Sequence, residues 1–168
     1  MQSDAKPGEA TPRPLAELLA CPPATTELLN VSAQHIEFAT GDTVFRQGTP
    51  CRGLYIVAAG QLQRRADRLQ SRLVLGSVHP GDLVELAAAL GNGQHTYSLV
   101  AQSPASLMML PMESLNRAFD MHPPLRMQLL EELAREVSRA YTSCCATRKA
   151  GMRRRTTKMS VTESTSIS

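Results

Sequence analysis

Residues 45–63 read FRQGTPCRGLYIVAAGQLQ, and residues 79–86 read HPGDLVEL. The first stretch holds a β-rich run, GLYIV, set between Gly48 and Gly60. Gly60 predicts a bulge or bend at the end of that run. The second stretch is a corner, where Pro80–Gly81 closes the strand-like SRLVLGSV at residues 71–78. Upstream, HIEFATGDTVFRQG at residues 35–48 alternates apolar and polar around a Gly41–Asp42 turn signal. Downstream, TYSLVAQSPASLMMLP at residues 96–111 supplies two more strands around Ser103–Pro104. Short strands spaced about 8–12 residues apart with Gly and Pro at the corners predict an antiparallel barrel or jelly roll. That barrel is expected over roughly residues 33–110.

Helical patterning flanks it. PLAELLACPPATTELLNVSAQ at residues 14–34 gives two short helical pieces divided by Pro22–Pro23, with Thr25 or Thr26 as a cap for the second. A short helix is expected over Ser114 to Asp120 and a long one over about 124–142, opened by Pro123–Pro124. Along the long helix, Leu125, Leu129 and Leu133 make a stripe suited to face the barrel. Leu130, Leu133, Val137, Ala140 and Cys144 recur at 3,4,3,4, the spacing of a helix–helix seam, which predicts a homodimer. The alternative is one broad core-facing stripe. The expected fold class is therefore mainly β with flanking helices, a barrel followed by a long C-terminal dimerisation helix. Its boundaries are a disordered leader over 1–13, a domain over 14–142, and a disordered, basic, Ser/Thr-rich tail over 146–168.

Charge is unevenly placed. The net charge is +3, but residues 142–168 carry six Lys and Arg against Glu163 alone, so the remainder of the chain is at −2. A mildly acidic folded part does not suit a nucleic-acid-binding surface. Arg148, Lys149, Arg153, Arg154 and Arg155 in the tail are the candidates for salt-sensitive contact with nucleic acid. No apolar run reaches about 18 residues, so no membrane span is expected. The polar N-terminus lacks the apolar core of a secretory signal, so a cytoplasmic location is expected.

Catalytic and metal motifs are missing from the pattern. Cys21, Cys51, Cys144 and Cys145 form no CxxC, and His35, His79, His95 and His122 stand singly. No zinc site, haem, metal-dependent cupin centre or other cofactor is expected from them. Cys51 beside Arg52 would be reactive only if its pKa were lowered. Without a Gly-x-Ser-x-Gly elbow, a P-loop or a nucleophile–base pair, the chain is read as non-enzymatic.

The ladder Phe45–Gly48, Gly53–Val57, Gly60 and Pro80–Asp82 resembles the cyclic nucleotide-binding domain of the CRP/FNR family of bacterial regulators. The resemblance covers roughly residues 15–142. It implies a sensor domain that signals through its long helix, with a small-molecule effector, in transcription regulation. In cyclic AMP-binding members a Gly-Glu-Leu places a carboxylate on the ribose, and a later Arg pairs the cyclic phosphate. Here the ligand candidates are Glu85, Leu86, Ala87, His95, Thr96 and Tyr97. An ungapped register places Glu85 at the family glycine, Leu86 at the Glu and Thr96 at the Arg. A one-residue gap aligns Glu85 with the family Glu and His95 with the Arg. Neither register supplies a permanent cation, and no Arg or Lys lies between Leu83 and Ala105. Losing a bidentate charged contact weakens binding by roughly 2–5 kcal/mol. The Thr-Ser pair that nucleotide-binding relatives carry on the long helix aligns with Ala140 and Tyr141. Cyclic AMP binding in the usual manner is therefore not expected. The 27 residues after Tyr141 are too few for the winged helix-turn-helix of family regulators, so sequence-specific DNA binding by this chain alone is not expected. Two other readings stand beside the sensor: a ligand-free scaffold or protein-interaction module, and an accessory nucleic-acid binder acting through its tail.

Overall fold

Two four-stranded antiparallel sheets make up the β portion of the computed structural model, which describes residues 15–68 and 71–159, over 147–159 by backbone alone. In chain order the elements are α1 (Leu15–Leu18), α2 (Pro23–Ser32), β1 (Gln34–Phe38), β2 (Thr43–Phe45), β3 (Gly53–Ala59) and β4 (Leu62–Arg68). There follow β5 (Ser71–Val78), β6 (Leu83–Val84), α3 (Leu86–Leu90), β7 (Ser98–Ala101), β8 (Ala105–Pro111), α4 (Met112–Met121) and α5 (Pro124–Met159). The sheets run β1-β8-β3-β6 and β2-β7-β4-β5. This is the expected jelly-roll arrangement with flanking helices.

The run GLYIV is apolar at every position because β3 is covered on both faces. Gly53 through Val57 are all buried. Tyr55 and Val57 join the cluster between the sheets, with Phe45, Leu62, Val78, Val84, Tyr97, Leu99, Leu107 and Met109. Leu54 and Ile56 alternate onto the other face and are buried too, and α4 packs against β3. Truncating a fully buried leucine such as Leu54 to Ala typically costs about 2–5 kcal/mol. The ladder of β3 with β8 shifts register between Val57 and Ala59, just before Gly60 turns the chain into β4. Gly60 has φ +84, and a Cβ there would run into the Pro104 carbonyl and Ala105. That corner admits only glycine without rearrangement.

Three boundaries differ from the sequence expectation. Pro22, not a threonine, caps α2, because Pro23 suits a first helical turn that needs no N–H there. Thr25 and Thr26 lie inside the helix and are buried. The penultimate helix begins at Met112 directly after β8, with no intervening loop. The last helix continues to Met159, well past 142, over a span free of proline after its start and of glycine until Gly151. Exposed ion pairs of Arg135 with Glu131 and Glu132, and of Arg139 with Glu132, support its middle turns. Partial burial pushes the Glu132 carboxyl up, but the hydrogen bonds and charges of Arg139 and Arg135 together outweigh it and hold the group below its ordinary value.

The chain divides into two compact units, one ending at Leu130 and the other beginning at Glu131. Within the first, Leu125 and Leu129 are buried. The leader over 1–13 and residues 160–168 lie outside the described residues, as do the side chains of Arg148, Lys149, Arg153, Arg154 and Arg155.

Candidate functional site

After the two-residue β6, the chain must reverse abruptly to enter α3, and Glu85 makes that reversal. Its φ and ψ are 69° and 35°, the left-handed conformation. It is the only described residue other than glycine with positive φ. Such a conformation costs an L-residue roughly 1–2 kcal/mol. The Glu85 carbonyl then accepts the Ala89 N–H at 2.9 Å, closing the first turn of α3. The Glu85 N–H donates to the Tyr97 hydroxyl at 3.2 Å.

The carboxylate of Glu85 is wholly buried and folds back against the segment 95–97. A buried carboxylate is tolerated only where donors surround it. Here Oε2 lies 3.0 Å from His95 Nδ1 and 3.1 Å from the Thr96 backbone N–H. Oε1 accepts the Thr96 hydroxyl at 2.8 Å. With Glu85 ionised, Nδ1 carries the proton. The His95 ring stacks flat on Phe45, centroids 3.8 Å apart and 4° from parallel. Tyr55 leans against both, at 5.4 Å from Phe45 and 6.2 Å from His95.

Backbone bonds fix the donor segment from the opposite side. Gly48 N–H donates to the His95 carbonyl, His95 N–H to the Thr49 carbonyl, and Cys51 N–H to the Gly93 carbonyl, all within 2.9 Å. Gln47 N–H adds a bond to Ser98 Oγ. The stretch that opens the β-rich ladder thus zips onto the stretch that carries the candidate residues.

Of the six residues expected at a ligand site, Glu85, His95, Thr96 and Tyr97 are brought into direct contact. Leu86 is buried in α3 and Ala87 is half-buried beside it. Sequence reasoning missed Phe45 as a partner of His95. It also missed Arg64, whose guanidinium carbon lies 5.4 Å from the Tyr97 ring centroid. The segment 83–105 has no cation of its own, but β4 brings one beside it. The signal was the two-residue period of the strand: Arg64 shares a face with Leu62, which is fully buried between the sheets.

Cys51 is buried, with its thiol donating to the Gly53 carbonyl at 3.1 Å. Burial pushes its pKa up, and the charge of Glu85 adds to that push. This is opposite to the shift a reactive thiol beside Arg52 needs. Tyr55 is raised as well, chiefly by burial. Among the described residues, no three His, Cys, Asp or Glu side chains are grouped to hold a metal ion, and no helix is long and apolar enough to cross a membrane.

The profile of the cyclic nucleotide-binding domain family matches residues 35–122, more than half of the chain. The chain belongs to that family. The domain is similar to that of CRP/FNR-type transcriptional regulators. The HTH-type transcriptional regulator Cmr of Mycobacterium tuberculosis (strain CDC 1551 / Oshkosh) is 28% identical over 104 residues, 62% of this chain and 43% of that protein. The chain therefore corresponds to less than half the length of that relative. Among solved structures, the Thermus thermophilus catabolite activator protein shares the fold with a TM-score of 0.64 at 24% identity, covering 75% of this chain and 60% of that one. The sensor domain of the transcriptional regulator DNR from Pseudomonas aeruginosa gives a TM-score of 0.64 at 20% identity, covering 76% and 85%.

Proposed function

We propose that this chain is a non-enzymatic, cytoplasmic sensor domain of the CRP/FNR type that does not take a cyclic-nucleotide phosphate in the family's usual manner. The observation that carries the reading is the Glu85 carboxylate, which already occupies the Thr96 amide, the Thr96 hydroxyl and the His95 ring. The left-handed backbone of Glu85 supports the ungapped register, in which this residue stands at a glycine position and Thr96 at the position of the phosphate-binding Arg. A phosphate brought to those donors meets a second anion. At about 4 Å and an effective dielectric near 20, two like charges repel by about 4 kcal/mol, roughly a thousandfold in affinity. The lost Arg contact adds to that. Titration calorimetry with cyclic AMP and cyclic GMP tests the reading: no heat of binding at micromolar protein is expected, and micromolar or tighter binding overturns it.

The signal would leave through α5. Leu130 and Val137 are exposed, at 37% and 60%, Cys144 is exposed and Leu133 is half-buried, which supports the proposed homodimer seam that also includes Ala140. A second reading, a protein-interaction module that keeps the barrel as scaffold, is favoured by β5. Leu73, Val74 and Leu75 are about half exposed in succession on that edge strand. Monomeric protein by light scattering, with no ligand found, would shift the weight to it.

A further inference from the structure

We propose that Thr96 and His95 form an oxyanion site whose resident occupant is the chain's own Glu85 carboxylate, and that a free carboxylate of formate size binds there once the Glu85 side chain is removed. The inference concerns the same residues as the sensor reading and rests on it for the place of the site.

Three observations converge. The occupant is held at a cost: Glu85 is the one described non-glycine residue in the left-handed region, and its carboxylate is completely shielded from water. Neither feature is retained in a fold without compensating contacts. The His95 ring and the Thr96 amide, by contrast, do not depend on the occupant for their placement. The His95 backbone is clamped by Gly48 and Thr49, and its ring is held flat on Phe45. Thr96 follows directly, so its backbone N–H keeps its place beside that ring whether or not Glu85 is present, while its exposed hydroxyl turns to meet whichever acceptor arrives. Finally, the donors match a carboxylate in number and span. Oε1 takes the hydroxyl, and Oε2 takes both the amide and the imidazole. A pre-formed set of donors without its anion is a binding site, because the cost of ordering it has already been met in folding.

The geometry makes the domain self-liganded: the anion arrives on a tether from the β6–α3 turn instead of from solution. Because Glu85 also begins α3, occupancy of the site and the path of that helix are set by one residue.

The test is a formate titration of the full chain, 15N-labelled, carrying Glu85→Gly, against sodium chloride at matched ionic strength. Glycine takes the left-handed backbone freely and leaves the donors vacant. The Thr96 and His95 amide signals are expected to move saturably, with a Kd on the order of 1 mM or weaker, the ceiling for a ligand of three heavy atoms. Wild-type protein should show no saturable shift at those signals. Adding Thr96→Val should weaken formate binding about tenfold, the value of one hydrogen bond to a charged group. A well-dispersed Glu85→Gly spectrum with no saturable formate shift overturns the proposal, as does an equal shift in the wild type. Should Glu85→Gly fail to fold, Glu85→Asn, which tolerates the left-handed region and cannot reach as far, carries the same titration. Cyclic AMP binding by the wild type would refute the sensor reading without touching this result, and absent formate binding would refute this proposal while leaving wild-type refusal of cyclic AMP intact.

Discussion

Replacing Glu85 separates two energies that the folded chain sets against each other. Glu85→Ala removes the carboxylate but keeps a Cβ at φ 69. Glu85→Gly removes both. The carboxylate's loss leaves His95 buried without its partner, while Thr96, exposed at the surface, can turn its hydroxyl to water. Hydrogen bonds to a charged group are worth about 1.5–3 kcal/mol each, and with the Thr96 hydroxyl able to turn to water Glu85→Ala should cost about 3 kcal/mol. Glycine recovers the backbone strain, about 1–2 kcal/mol for an L-residue in the left-handed region. Glu85→Gly should therefore be destabilised by only about 1–2 kcal/mol on the same accounting. Urea unfolding at equal m-values measures the two differences directly, and thermal midpoints should separate by several degrees. An alanine variant as stable as the glycine variant would refute the left-handed assignment. A wild type no more stable than Glu85→Gly would refute the contribution of the carboxylate contacts.

Alkaline pH should weaken the fold. Cys51 and Tyr55 are both raised above their ordinary values of 9.0 and 10.0, so the folded chain keeps protons that the unfolded chain releases. Stability is then present below about pH 9 and lost as pH rises through the folded values, which urea midpoints from pH 7 to 10.5 would show; a flat profile contradicts the burial argument. Native protein should alkylate at the half-buried Cys21, outside the proposed seam, well before the buried Cys51, as peptide mapping after brief iodoacetamide treatment would report; early labelling at Cys51 would mean its environment opens readily. Val137→Glu on the exposed face of α5 should dissociate the proposed dimer in light scattering while leaving the circular dichroism of the folded chain unchanged; a dimer that persists overturns the seam.

The barrel was readable because its corners are chemical. Gly41, Gly48, Gly60 and Gly81 all have positive φ, and each falls where the sequence places a turn. The strands between them alternate or, for β3, run continuously apolar for a reason that burial on both faces explains. For the proposed site, the sequence offers candidate residues and not the contacts among them. Glu85, His95, Thr96 and Tyr97 can be named from a resemblance, but that resemblance allows two registers, and the backbone angle at Glu85 is what supports the ungapped one. Phe45 and Arg64 were out of reach because their roles depend on pairings far along the chain. The end of α5 escapes composition for a different reason: the basic segment after Cys145 has a disordered composition, while it lacks a residue that forces a helix to stop, and α5 runs on to Met159.

The pairings that build the site also determine when it can exist. β1 meets β8 at Gln34 and Met109, β2 meets β7 at Thr43 and Val100, and the donor segment is tied to Thr49 and Cys51. Local contacts are few among these, so loop closure must precede most of the reward, and barrels of this kind fold in milliseconds to seconds, not microseconds. A growing chain on the ribosome therefore has all of the site residues in hand before it has β8 to close over them. For that interval the Glu85 carboxylate is in water and its donors are unplaced. The site is a late product of folding, and any slowing of β8 docking lengthens the time that the edges of β1 and β3 stand open to other chains.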